Sequence, residues 1–234
     1  IINQQPEMSD FASLMEKFAY PYFDGNIDRQ VKINKGLPTD GNDSLVFVKR
    51  YFNRTDFYEP GEDIDVNSYG MLLYDPADNQ KGGNTDMGAF FVPSNKALED
   101  YWNSEEGAFL RDNYESLDEV ATNVISAFIQ NHQRVSFKGS YPHTWDIMTD
   151  PTGLDMKVNP DDVERTFWAN NGVVYLMDKV YAPVDYQSVY APVLLSGLTK
   201  IMSPVIKNDQ DNDFNMKYHF YATIYFIVPT VLYN

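Results

Sequence analysis

Met87-Gly88-Ala89-Phe90-Phe91-Val92-Pro93-Ser94-Asn95-Lys96-Ala97-Leu98 decides the reading of this chain. Met87 to Val92 is an unbroken apolar run, short enough for a buried strand. Pro93 has no N–H to continue a ladder, so the strand stops there. Ser94 or Asn95 then offers a side-chain oxygen to the first amides of a helix. Ala97, Leu98, Tyr101 and Trp102 follow at helical spacing.

Downstream, Ser116-Leu117-Asp118-Glu119 has the capping-box spacing and predicts a helix from Ser116. Its apolar positions Leu117, Val120, Ala121, Val124, Ile125, Phe128 and Ile129 make one face. Thr166-Phe167-Trp168-Ala169 and Val173-Val174-Tyr175-Leu176-Met177 flank Asn170-Asn171-Gly172, so a β-hairpin is expected, with Asn-Gly giving the turn its positive φ. Upstream, Phe11, Leu14, Met15 and Phe18 predict a helix from Ser9 or Asp10. A polar stretch rich in Gly, Asn and Asp follows from Asp24 to Asp43. Leu45 to Val48 with Tyr51-Phe52 reads as a strand or a short buried helix, since periodicity does not separate the two. Asn53 to Asn84 is a second polar region with a turn at Asp75-Pro76-Ala77-Asp78. Helices and strands without strict alternation predict an α+β fold.

The 234 residues are 43% apolar and 15% aromatic, ample for a core, which excludes disorder for the bulk of the chain. With 18 Lys+Arg against 34 Asp+Glu, the net charge of −16 repels phosphate backbones and anionic lipid, arguing against nucleic-acid and membrane-surface partners. No apolar run is long enough to insert in a membrane. The absence of cysteine removes disulfides, thiolate metal sites, a Cys nucleophile and a lipid-modified cysteine within these residues. The opening Ile1-Ile2-Asn3-Gln4-Gln5-Pro6, without Met, basic region or apolar core, is the expected start of a mature segment whose export signal has been removed.

Towards the other end, Val193, Leu194, Leu198 and Ile201 show a helical pattern, followed by acidic Asn208 to Asp213. Thr223-Ile224-Tyr225-Phe226-Ile227-Val228-Pro229-Thr230 echoes the strand that ends at Pro93, with the two prolines 136 residues apart. Ala89 to Leu98 resembles the first signature box of fasciclin-like domains. Asn171-Gly172-Val173-Val174-Tyr175-Leu176-Met177-Asp178-Lys179-Val180 with Pro183 resembles the second, with Tyr175 where a His is common. Asn131-His132 falls where that family places its aromatic-His or Asn-His pair. The resemblance implies one domain over residues 1–186, with a long polar insert before the first box, and the truncated beginning of a second over 187–234. It implies a twisted β-sandwich-like wedge with helices alongside, and Phe91, Pro93, Asn95, Asn171, Gly172 and Asp178 as structural box residues. The insert and Tyr186 to Pro192 resemble variants in Bacteroides-type surface proteins. The implied role is adhesion or protein binding by an exported bacterial lipoprotein of the outer membrane or cell surface, without enzyme activity or cofactor.

The candidate binding residues are Asn131, His132, Tyr141, His143 and Trp145. His132 continues the apolar face of its helix, so it is either a polar contact on a binding surface or a buried ring bonded to backbone at the helix end. Ser140-Tyr141-Pro142-His143-Thr144-Trp145 reads as a glycan-contacting loop or as a loop whose Trp145 plugs into the core. The aromatics of the polar region before the first box, Tyr20, Tyr22, Phe23, Tyr51, Phe52, Phe57, Tyr58, Tyr69 and Tyr74, are a contact surface or a sealing layer. Asp161-Asp162 after Asn159-Pro160 predicts a helical turn. Asp209-x-Asp211-x-Asp213 begins like a calcium loop, but Phe214 and Phe220 stand where Gly and Glu are needed, so no metal site is assigned. Glu59 to Asp65 reads as an acidic loop, and Gly82-Gly83 as a loop rather than a phosphate cradle. No Gly-x-Ser-x-Gly, His-Glu-x-x-His, P-loop or Gly-x-Gly-x-x-Gly occurs, and no catalytic residue is assigned. A glycan-capture module for polysaccharide uptake is the alternative partner reading.

Overall fold

The computed structural model describes residues 1–40, 45–51, 88–134, 140–149, 155–169, 172–187 and 191. Asn170, Asn171, nearly all of the polar insert, and the expected second copy with His219 and Asp209 to Asp213 lie outside the described residues. The described chain is mixed helix and sheet, an α+β fold.

Its centre is a parallel pair of strands, β3 (Gly88–Pro93) and β6 (Gly172–Met177). They run in register from Gly88 opposite Gly172 to Pro93 opposite Met177. β4 (Gln133–Arg134) flanks β3 and β5 (Val163–Ala169) flanks β6, both antiparallel. Every residue of β3 and β6 is buried. Both strands therefore read as continuous apolar runs instead of alternating ones, because each face must meet a core. Phe90, Val92, Val174 and Leu176 face a helical layer, whereas Ala89, Phe91, Val173, Tyr175 and Met177 face a smaller cluster with Met148, Val158 and Tyr181.

The helical layer holds α1 (Ser9–Glu16), α3 (Asn95–Asn103), the single turn α4 (Ala108–Arg111) and α5 (Thr122–Asn131). Phe11 is its hub, meeting Phe90 edge-on at 5.8 Å and the His132 ring at 5.5 Å. As expected, Ser94 caps α3, its hydroxyl accepting the Ala97 amide at 3.1 Å.

A smaller unit is built from β1 (Ala19–Phe23), α2 (Gly25–Lys35) and β2 (Phe47–Tyr51), with β1 and β2 antiparallel. Within the ambiguous stretch, Phe47–Tyr51 is thus a strand, and Phe52 lies outside the described residues. The polar stretch from Asp24 holds a helix that the sequence reading did not name, and this is corrected. Asp24 caps α2 by accepting the Asn26 and Ile27 amides, and Gly36 closes it at φ 66°. The helix lacks a clean apolar stripe and instead buries an ion pair, Asp28–Lys32 at 2.8 Å, whose other carboxylate oxygen accepts the Val46 amide. The lysine holds the Asp28 carboxyl below its usual range.

Three further expectations are corrected. Ser116 caps no long helix: Leu117–Glu119 is a 3-10 turn, Val120 is extended with its side chain in the core, and α5 begins at Thr122. Neither Ser9 nor Asp10 caps α1; Asn95, arriving from α3, accepts the Asp10 amide at 3.1 Å. Gly172 does not serve the turn, because it pairs with Ala169 inside the hairpin. A Cβ on Gly172 would lie 2.5 Å from the Gly88 carbonyl oxygen, so the parallel pair closes only over a glycine. The anticipated helical turn is Pro160–Asp162, with Asn159 capping it. Among the described residues no helix is long and apolar enough to cross a membrane.

Candidate functional site

α5 ends on Asn131 and His132, and both are buried. Asn131 Nδ2 donates to the Tyr181 carbonyl at 2.8 Å, while the Tyr181 amide donates to His132 Nε2 at 3.2 Å. The two side chains thus grip both polar groups of one residue beyond β6. His132 Nδ1 lies 2.7 Å from the Phe128 carbonyl, which has only lone pairs to offer, so the ring is neutral with its proton on Nδ1. Burial, reinforced by nearby Arg134, pulls the imidazole down to about 4 despite that hydrogen bond. The sequence expectation of a ring suited to the helix dipole therefore holds only in position, not in charge. The His132 carbonyl also receives the Phe91 amide at 2.8 Å. α5, β3 and the chain after β6 meet at this one residue, and it offers no surface to a partner.

The other three candidate binding residues share a loop on the opposite side of the sheet. Tyr175 stacks on Phe91 at 5.2 Å, meets the Tyr141 ring edge-on at 5.0 Å, and donates its hydroxyl to the Tyr141 carbonyl at 2.6 Å. Burial raises the Tyr175 phenol well above its ordinary value, so it remains a donor. Tyr175 thus anchors the loop. From that anchor His143 faces solvent, Trp145 is 38% exposed and Ile147 67% exposed. Trp145 does not plug into the core; Met148 does.

Of the box residues, Phe91 and Pro93 are buried in β3, and Asp178 is exposed just after β6. Asn95 is a tertiary staple. Besides accepting the Asp10 amide, its Nδ2 donates to the Pro6 carbonyl at 3.0 Å and to Ser9 Oγ at 2.8 Å. Asn131 is separated from Asn95 by the helical layer's length of chain and joins a different set of partners, so the two asparagines build the fold at separate points.

Two clefts open on the described surface. One, of about 310 Å³, lies where β3 and β6 begin, beside Ile1, Ile2 and Tyr51. The other, of about 300 Å³, runs between α1 and α3. Neither is lined by Tyr141, His143 or Trp145. Among the described residues no three carboxylate or imidazole groups converge on a metal position.

Sequence reasoning missed Tyr181, the residue that the Asn131–His132 pair holds and whose hydroxyl donates to Asp162 at 2.7 Å. It also missed the face of α3 formed by Asn95, Leu98, Glu99 and Trp102, although their spacing of three, four and seven places them on one side. Comparison with protein-family models, curated proteins and solved structures returned no match.

Proposed function

We propose that this chain is a non-enzymatic binding module of fasciclin-like type, working in adhesion to an extracellular protein at a bacterial cell surface or outer membrane. In this reading residues 1–186 are one domain and 187–234 begin a second. The observation that carries it is the loop after Ser140: a buried aromatic stack fixes its base, while His143, Trp145 and Ile147 are presented to solvent. Rigidly based, solvent-facing aromatics are what protein contact surfaces use as anchors. Asn131 Nδ2, both ring nitrogens of His132 and the side-chain amide of Asn95 are committed to backbone or to neighbouring helices and support that surface instead of forming it.

Exposed Trp145 beside half-buried Tyr141 also favours the second reading, glycan capture, since sugar rings stack on such faces. Against it, the loop lines neither described cleft. The test is binding of the purified chain to arrayed extracellular-matrix proteins and to arrayed polysaccharide fragments. Saturable protein binding lost in Trp145→Ala/Ile147→Ser, at unchanged melting temperature, is the expected result. Glycan binding lost in the same variant would replace the protein reading, and binding that ignores the variant would remove the loop from either.

A further inference from the structure

The groove between α1 and α3 has an apolar floor and an acidic rim. Leu14 and Leu98 are buried beneath it, with Trp102 and Leu117 half-buried in its walls. Asp10, Glu99, Glu115 and Asp118 stand around it, and no lysine or arginine is among its lining residues. Asp118 is answered by Lys17 at 3.5 Å, and Asp10 accepts from Ser9. The carboxylates of Glu99 and Glu115 have neither a hydrogen-bond nor an ion-pair partner among the described residues; Lys96 senses Glu99 only through space and pairs with Asp100 instead.

The surrounding charge is one-sided. From Glu99 to Glu119 the sequence carries eight carboxylates against Arg111 alone. Arg111 is occupied, donating to the Trp102 and Ser104 carbonyls at 2.6 and 3.0 Å. A metal ion needs carboxylates converging on one point, which these do not do. They are spread along an apolar trough with an indole in its wall. That arrangement complements a planar cation on an aliphatic stem, which can stack on the indole, bury its methylenes and meet two carboxylates.

We propose that the α1–α3 groove docks an arginine side chain presented by an extended segment of a protein partner. This goes beyond the adhesion reading and uses a different face from the Ser140–Ile147 loop. Docking by charge complementarity speeds encounter and selects the partner, and it weakens as salt rises.

The test uses the full chain and a blocked pentapeptide, Gly-Gly-Arg-Gly-Gly, followed by amide and indole NMR signals. The expected result is a saturable shift of the Trp102 indole N–H and the Leu98 and Glu99 amides. The peptide with uncharged citrulline should bind at least about tenfold more weakly. Glu99→Gln/Glu115→Gln should weaken the arginine peptide by about tenfold, whereas Glu164→Gln, an exposed carboxylate on β5, should not. Equal affinity for citrulline, equal damage from Glu164→Gln, or no shift at about 10 mM peptide would overturn the proposal. So would calcium moving the same signals while the peptide does not. Trp145→Ala/Ile147→Ser serves as the separating control: it tests the loop and should leave peptide binding intact.

Discussion

The β3–β6 pair and the β1–α2–β2 unit are both built from about five-residue strands beside a helix, yet they hold together by different means. β3 and β6 are buried from end to end and fed by two apolar clusters. In the smaller unit no strand residue is fully buried, and Phe23, Ile27, Ile33, Leu37, Leu45 and Phe47 are all exposed. It relies on polar devices: the Asp24 cap, the Asp28–Lys32 pair, Arg50 stacked 3.5 Å over the Tyr22 ring, and Lys49 bonded to Glu16 at 2.7 Å. Apolar burial on two faces is cooperative and non-directional, whereas exposed polar devices are each worth little and a buried ion pair's attraction is mostly offset by its own desolvation. The difference predicts a stable body carrying a unit that opens first, visible as amide exchange of β1 and β2 well ahead of β3 and β6.

The comparison breaks most sharply at Gly172. Gly172→Ala puts a methyl against the Gly88 backbone and should cost about 3–4 kcal/mol by forcing the parallel pair apart. A denaturant melt checks this, and a loss below about 1 kcal/mol would mean the pair is looser than its register implies.

His132→Ala comes next. It strips the Tyr181 amide and the Phe128 carbonyl of their partner and leaves a cavity, at about 3 kcal/mol, or a melting-temperature fall of about 6–12 °C. The same residue sets an acid limit. Its folded value near 4 lies below the unfolded value near 6.5, so the neutral ring contributes stability that is full above pH 6.5 and is lost as the pH falls towards 4. The loss totals about 3 kcal/mol. Comparing wild type with His132→Gln across that range isolates it, because the carboxylates held low, such as Asp28 and Glu16, are common to both proteins and cancel in the difference. Equal slopes would contradict a buried neutral ring.

Asn95→Ala should cost about 1–2 kcal/mol, since three hydrogen bonds between α3 and the start of α1 are lost at a partly solvated site. In the smaller unit, Ile33→Ser, at a side chain 53% exposed, should change stability by less than about 0.5 kcal/mol. A larger loss there would show that Ile33 is covered in solution, and would narrow the contrast between the two regions.

Much of the body was legible beforehand because its signals are local. The run ending at Pro93, the Ser94 cap, the hairpin around β5 and β6, and the apolar face from Val124 to Ile129 each follow from spacing and turn chemistry. α2 was not legible, because a helix held by a cap and a buried ion pair lacks the stripe that periodicity detects. The capping box at Ser116 misled for the reverse reason: a good local signal yielded to Val120, which the core requires in extended form. In the candidate site, the sequence marked Asn131, His132, Tyr141, His143 and Trp145 as one set. The chain's folding divides them into a buried clamp and an exposed loop on opposite faces of the sheet.

What this sequence determined by itself is therefore what depends on neighbours along the chain: the class of fold, the buried central strands, the acidic surface and the lack of thiol chemistry. What only the tertiary structure decided is where polar side chains find partners far away in sequence. Asn95 reaches Asp10 across 85 residues, His132 reaches Tyr181 across 49, and Gly172 touches Gly88. A hydrogen bond or a close backbone contact has a distance and a direction but no sequence period, so nothing in the local pattern announces it.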